Sequence, residues 1–227
     1  MLEKVDSSGK YLFVFLLVHL LGAFVAFLCS CIQGLVSEDV YLEYVYSIDM
    51  VVTLFTYIVL VMMCILYLVW IWRVHKEYRQ LFPQYPLSPG GAIAHILIPF
   101  YNIVGLWTLY SGMARFLMRL DATTARHGMR IRFLIPFYYF AHLITTVVNR
   151  MGEDEEGVSW YIWGTGLDVL ATLAYIMMFV AVTSGLNEAR EFQQRLQAEE
   201  AEKAENAAED LQAPAQPNEP VGEQANL

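Results

Sequence analysis

Long stretches without a single charged side chain dominate this chain, and they decide its fold class before any motif does. Residues 11–37 and 50–72 contain no Lys, Arg, Asp or Glu. Each exceeds the roughly 20 residues that carry a helix across ~30 Å of hydrocarbon. Residues 133–149 form a shorter uncharged run, and residues 157–187 carry one charge, Asp168. Hydrophobic residues make up 57% of the 227 and charged residues only 16%, so a water-soluble core cannot absorb four such segments. In lipid the backbone must satisfy its own polar groups, which favours helices. The expected fold is all-α: a polytopic integral membrane protein with spans at about residues 11–33, 48–73, 131–150 and 159–185. The first run is too long for the apolar core of a cleaved signal, so it reads as an uncleaved span.

Charge placement sets the expected orientation. The connection after the first span has Glu38, Asp39 and Glu43 and no base, and the last turn has the run Glu153, Asp154, Glu155 and Glu156. Two strongly basic loops, residues 73–91 and 115–132, hold Arg73, Lys76 and Arg79, then Arg115, Arg119, Arg126, Arg130 and Arg132. Lys and Arg are retained on the cytoplasmic side. Both basic loops then lie inside, and a multi-pass protein of the inner membrane with two cytoplasmic termini follows. The five arginines from Arg115 to Arg132 are expected to face anionic lipid headgroups.

Residues 92–120 lie between those basic blocks. Pro99 breaks the helix after a short run that cannot span alone. Beyond it, Gly105, Thr108, Gly112, Arg115 and Arg119 recur every three or four residues among apolar neighbours. That is an amphipathic helix suited to the interface or to a re-entrant path. Four crossings plus this segment is the expectation, and five crossings is the alternative. Residues 1–10 form a short N-terminal tail. The C-terminal part, residues 186–227, is a separate acidic tail. From residue 187 onward it holds ten acidic and three basic residues, rich first in helix formers and then in Pro, Asn and Gln. Helix followed by disorder is expected there.

A resemblance rests on Trp70, Trp72, Arg73, His75 and Tyr78, on Ser88-Pro89-Gly90-Gly91-Ala92, and on Leu97-Ile98-Pro99 with Asn102. Over residues 65–110 these resemble the signature of a bacterial membrane-protein family catalogued as a domain of unknown function. The resemblance implies about four membrane helices, and no activity. Trp70, Trp72 and Arg73 are expected at the cytoplasmic headgroups, with Pro89 and Gly90 in a turn where glycine supplies positive φ. Asn102 is expected to bond backbone groups freed by Pro99. His75 and His127 are expected to be solvated or to face headgroups.

Candidate chemistry lies in the bilayer. Asp168 is about ten residues from the outer end of its span and His142 about ten from the inner end of the preceding one, giving similar depth. An ionised carboxylate at mid-membrane costs several kcal/mol unless it finds a partner, and His142 is the natural one. Tyr161, Thr165, Asp168, Thr172 and Tyr175 share one helical face; Tyr138, His142, Thr145 or Thr146, and Asn149 share another. His19 lies nearby on the first span, where Gly22, Ala26 and Ser30 make a small-residue stripe for close packing. The seam reads first as a hydrogen-bond ladder and second as a proton relay or permeation path.

No Gly-x-Ser-x-Gly, His-Glu-x-x-His, phosphate loop or nucleic-acid signature is present, and the three cysteines have no metal spacing. No catalytic residue, cofactor or metal is therefore expected. The expected partners are the bilayer, a second copy or another membrane protein, and no nucleic acid. Three functions stand in order: a non-catalytic scaffold or accessory subunit, a small oligomeric transporter or channel using the Asp/His seam, and a lipid-active enzyme.

Overall fold

The computed structural model describes residues 7–152 and 158–212, with side chains at all of these except 99–103, 149–152, 158–160 and 209–212. The first helix, α1, spans Ser7–Cys31 and runs into a π-helical turn, Ile32–Val36. A short α2, Glu38–Val40, and a second π turn, Tyr41–Val45, lead into α3, Tyr46–Leu81. Then come α4, Pro89–Leu97, α5, Pro99–Leu120, α6, Ala122–Gly152, and α7, Val158–Gln212. Among the described residues there is no strand, and four helices are long and apolar enough to cross a membrane. The chain is an all-α polytopic membrane protein.

The helices overrun the expected spans, and both basic loops are corrected. At 1.5 Å per residue, the 36 residues of α3 make about 54 Å, well beyond the hydrocarbon. Lys and Arg are good helix formers, so α3 carries its basic end onward as helix. It stops at Phe82, whose extended backbone (φ −135°, ψ 98°) suits the residue before Pro83. Between α5 and α6 only Asp121 leaves the helix, at φ −162° and ψ 165°. Its carboxylate accepts from the Thr123 N–H and hydroxyl at 3.2 and 2.7 Å. The Asp121 N–H donates to Thr124 Oγ1 at 3.1 Å, and the Thr124 hydroxyl donates to the Leu117 carbonyl at 2.9 Å. An N-cap of this kind starts α6 within one residue of the end of α5.

The Ser88–Gly91 turn is likewise a helix start. Ser88 caps α4, accepting from the Gly91 N–H at 3.0 Å, with Pro89 at the first helical position. No described glycine has positive φ, so Gly90 serves helix entry instead. The expected break at Pro99 is present: Ile98 is extended (φ −79°, ψ 115°), and Pro99 opens α5.

The break folds α4 and α5 into a hairpin. A Cβ at Gly105 would overlap the His95 carbonyl oxygen, so the two helices touch backbone to backbone there. Gly90 lies beside Trp72 near the basic end of α3, whereas Leu97 and Leu106 share a cavity wall with Met63, two turns and more along α3. Phe116 then returns to Tyr78 and Tyr85, with ring centroids 6.2 and 4.8 Å apart. The hairpin therefore enters and leaves at the basic end of α3 and reaches its middle.

In the unit that ends at Arg190, α7 is the central rod. Its ring contacts are Phe13–Phe179 at 5.7 Å, Trp70–Phe179 at 5.0 Å and Tyr138–Tyr175 at 5.0 Å, from α1, α3 and α6. Gly185 admits Leu117 of α5. Arg190 makes a forked ion pair with Glu77 and donates to Asn187 at 2.6 Å. Leu186 and Ala189 are buried, so the tail begins at Glu191 rather than at residue 186. Residues Glu191–Leu227 form a second unit, helical as far as Gln212. At the other terminus Ser8 and Gly9 are buried in α1, so residues 7–10 are helix rather than tail.

Candidate functional site

Helical spacing of three and four residues puts a polar stripe on each spanning helix, and the stripes meet around one cavity of about 530 Å³. His19 comes from α1, Thr53, Thr56 and Tyr57 from α3, His142, Thr145 and Thr146 from α6, and Tyr161, Thr165, Asp168, Thr172 and Tyr175 from α7. The volume falls within the range of small-molecule sites. Among the described residues Asp168 is the one carboxylate of the lining, which includes no Lys or Arg.

Four hydrogen bonds or bonded groups tie α7 to the other helices around this space. The Thr172 hydroxyl donates to the Asp168 carbonyl at 2.7 Å, which engages its one proton. His19, 3.2 Å away through Nδ1, therefore donates to Thr172 Oγ1 and is left with Nε2 as an acceptor when neutral. Ser30 and Thr165 hydroxyls meet at 2.8 Å. His142 Nδ1 bonds the Tyr175 hydroxyl at 2.8 Å. Asp49, 3% exposed, accepts from Tyr41 at 2.6 Å and Tyr161 at 3.1 Å.

The sequence expectations resolve as follows. Asp168, His142, His19, Thr165 and Thr172 all line this cavity; Asn149 is outside the described side chains. His142 aligns with Tyr175, two turns along α7 from Asp168, so it sits deeper toward the basic end than end-counting gave. The small-residue stripe does admit a neighbour, since a Cβ at Gly22 would overlap Thr56 Oγ1 of α3. The Thr145 hydroxyl, a buried atom of the lining, has no hydrogen-bond partner among the described residues. A polar occupant or water fits beside such a group.

Sequence reasoning missed Asp49. Taking the uncharged run from residue 50 placed Asp49 outside the span, although Asp49, Thr53 and Thr56 repeat at helical spacing. That spacing was the available signal. Asp49 does not line the cavity itself, but it holds Tyr161, which does.

At the basic end the motif residues divide. Trp72 is 46% exposed, as an anchor should be, while Trp70 is 4% exposed and packs on Phe179. Two residues apart on a helix point about 200° apart, so both could not face lipid. Arg73, Arg115, Arg119, Arg126, Arg130 and Arg132 are all exposed. The Pro99 and Asn102 side chains are outside the described ones. His75 is not solvated: it is fully buried and bonds Tyr85 through Nδ1 at 2.8 Å. Burial, with Tyr78 close by, pushes the Tyr85 phenol above its ordinary value, so it keeps its proton.

A second cavity, about 290 Å³, adjoins the first and shares Met63, His142 and Tyr175 with it. Leu12, Leu16, Trp70 and Phe179 line it, and Ile96, Leu97 and Leu106 of the hairpin close its side.

Neither curated proteins nor solved structures yield a match to the chain. A family model described as a domain of unknown function matches residues 36–190, which takes in α3 to α6, the α4–α5 hairpin and the cavity-lining part of α7. His19 lies outside that match, whereas Asp49, His142 and Asp168 lie within it. With more than half its length so matched, the chain belongs to the DUF4328 family.

Proposed function

We propose that this protein is a membrane-embedded receptor or carrier for a small organic cation. One observation carries this reading: a 530 Å³ cavity between four spanning helices whose lining, among the described residues, has a carboxylate, Asp168, and two histidines but no Lys or Arg. Tyr57, Tyr161 and Tyr175 offer ring faces to a cation, and hydroxyls of Thr53, Thr145 and Thr165 offer acceptors. The scaffold reading ranked first from sequence has no comparable feature behind it, and the carrier reading overtakes it.

The arrangement of charge supports an inner-membrane orientation with both termini in the cytoplasm. Exposed arginines cluster where α3 and α5 end and α6 begins, and such residues stay on the cytoplasmic side. The hairpin is then a re-entrant element from the cytoplasm, and the arginines lie at the level of anionic headgroups. The polar cavity occupies the outer half, facing the side from which Tyr161 and Asp49 are reached.

Full-length protein in nanodiscs, titrated with tetramethylammonium by calorimetry, tests the site. Binding above empty nanodiscs is expected, weakened at least about tenfold in Asp168→Asn, a loss of about 1.4 kcal/mol. Undetectable binding by the wild-type protein at millimolar probe would overturn the reading. Flux of the same probe into proteoliposomes then separates a carrier from a receptor.

A further inference from the structure

We infer that the occupant is an amphiphile: a cationic head in the polar cavity and a short alkyl or isoprenoid chain in the adjoining apolar chamber. The inference rests on the cation reading above and adds the chain. The two spaces share Met63, His142 and Tyr175, so an occupant of both would lie against these three side chains.

The chamber's chemistry excludes a second polar group. Four tyrosines line it, and the hydroxyls of three are occupied by one another. Tyr67 and Tyr110 meet at 2.7 Å, and Tyr138 donates to Tyr67 at 3.5 Å. Tyr175 is bonded to His142. What the chamber presents is ring and aliphatic surface, from Leu12, Leu16, Leu106 and Phe179 among others. Water gains little in such a space, whereas an apolar group fills it favourably. The other cavity is more polar, with imidazoles from α1 and α6, hydroxyls from α3, α6 and α7, a carboxylate from α7, and a Thr145 hydroxyl without a partner among the described residues. The polarity changes along the bundle at the His142–Tyr175 pair, as it does along an amphiphile between head and chain.

A chain-length series reads this directly. Butyl-, hexyl- and octyltrimethylammonium are titrated against the full-length protein in nanodiscs, with empty nanodiscs subtracted and tetramethylammonium as the head alone. Burying each methylene should tighten binding about three- to fourfold until the chamber is full. Leu16→Trp narrows the chamber, and Cys64→Phe does so from a more exposed position on α3. Either should flatten the series and leave tetramethylammonium affinity unchanged. Equal affinity across the series in the wild-type protein overturns the chain while the cation site stands. A full slope retained in a folded narrowed variant likewise overturns it. Failure of tetramethylammonium itself to bind removes the cation reading and this inference together.

Discussion

Asp49 shows how one buried side chain can organise a site it does not line. Two phenols donate to its carboxylate, Tyr41 from the segment before α3 and Tyr161 from α7. Asp49→Ala leaves both donors without their acceptor, and the orphan at Tyr41, the buried one of the two, costs about 1–3 kcal/mol. The variant should melt earlier in detergent, and adding Tyr41→Phe should recover part of the loss by removing one orphan. Equal melting of Asp49→Ala and the wild-type protein would mean that these bonds contribute nothing. Because Tyr161 then loses its tether, cation affinity should fall as well, though less than in Asp168→Asn. Of the residues that matter here, Asp168, His142 and His19 were legible because an ionisable group in an apolar run stands out. Asp49 was not, because it borders such a run. Its burial depends on the π turns before it, which sequence periodicity does not reveal.

At the scale of elements, hydropathy located all four spanning helices and the Pro99 break, because these follow from local composition. It misplaced the helix ends, where no lipid constraint acts and Lys and Arg simply prolong the helix. It also read Ser88-Pro89-Gly90-Gly91 as a turn, since Ser-Pro serves turns and helix starts alike and only the Gly91 N–H to Ser88 bond distinguishes them. The hairpin offers a paired test of its packing. At Gly105 an added methyl meets the His95 backbone, which cannot rotate away, so Gly105→Ala should destabilise by about 1–3 kcal/mol. At Gly90 the nearest atom is on the Trp72 ring at 3.9 Å, so Gly90→Ala should be neutral or gain up to about 1 kcal/mol. Thermal unfolding of the two variants side by side checks the contrast, and equal melting points would mean that α4 and α5 do not touch at Gly105.

For the whole molecule, the decisive quantity is which end of the bundle faces the cytoplasm. Cysteines introduced at exposed positions of a cysteine-free protein report this: Leu35, 76% exposed, at the acidic end, and Gln84 and Met129 at the basic end. In intact cells a membrane-impermeant maleimide should label Leu35→Cys, and should reach Gln84→Cys and Met129→Cys only after permeabilisation. Labelling of Met129→Cys in intact cells would reverse the hairpin's side and the outer placement of the polar cavity. The bundle has a further property that arises from its connections. Thr172, Thr165, Tyr161 and Tyr175, each tethered to a different point of α1, α3 or α6, all belong to α7. A shift of this one rod along its axis would loosen every tether together and reshape both chambers at a stroke. A shift of α3 or α6 loosens one of these attachments and a shift of α1 two, so the interior depends on the position of α7 more than on that of any other helix.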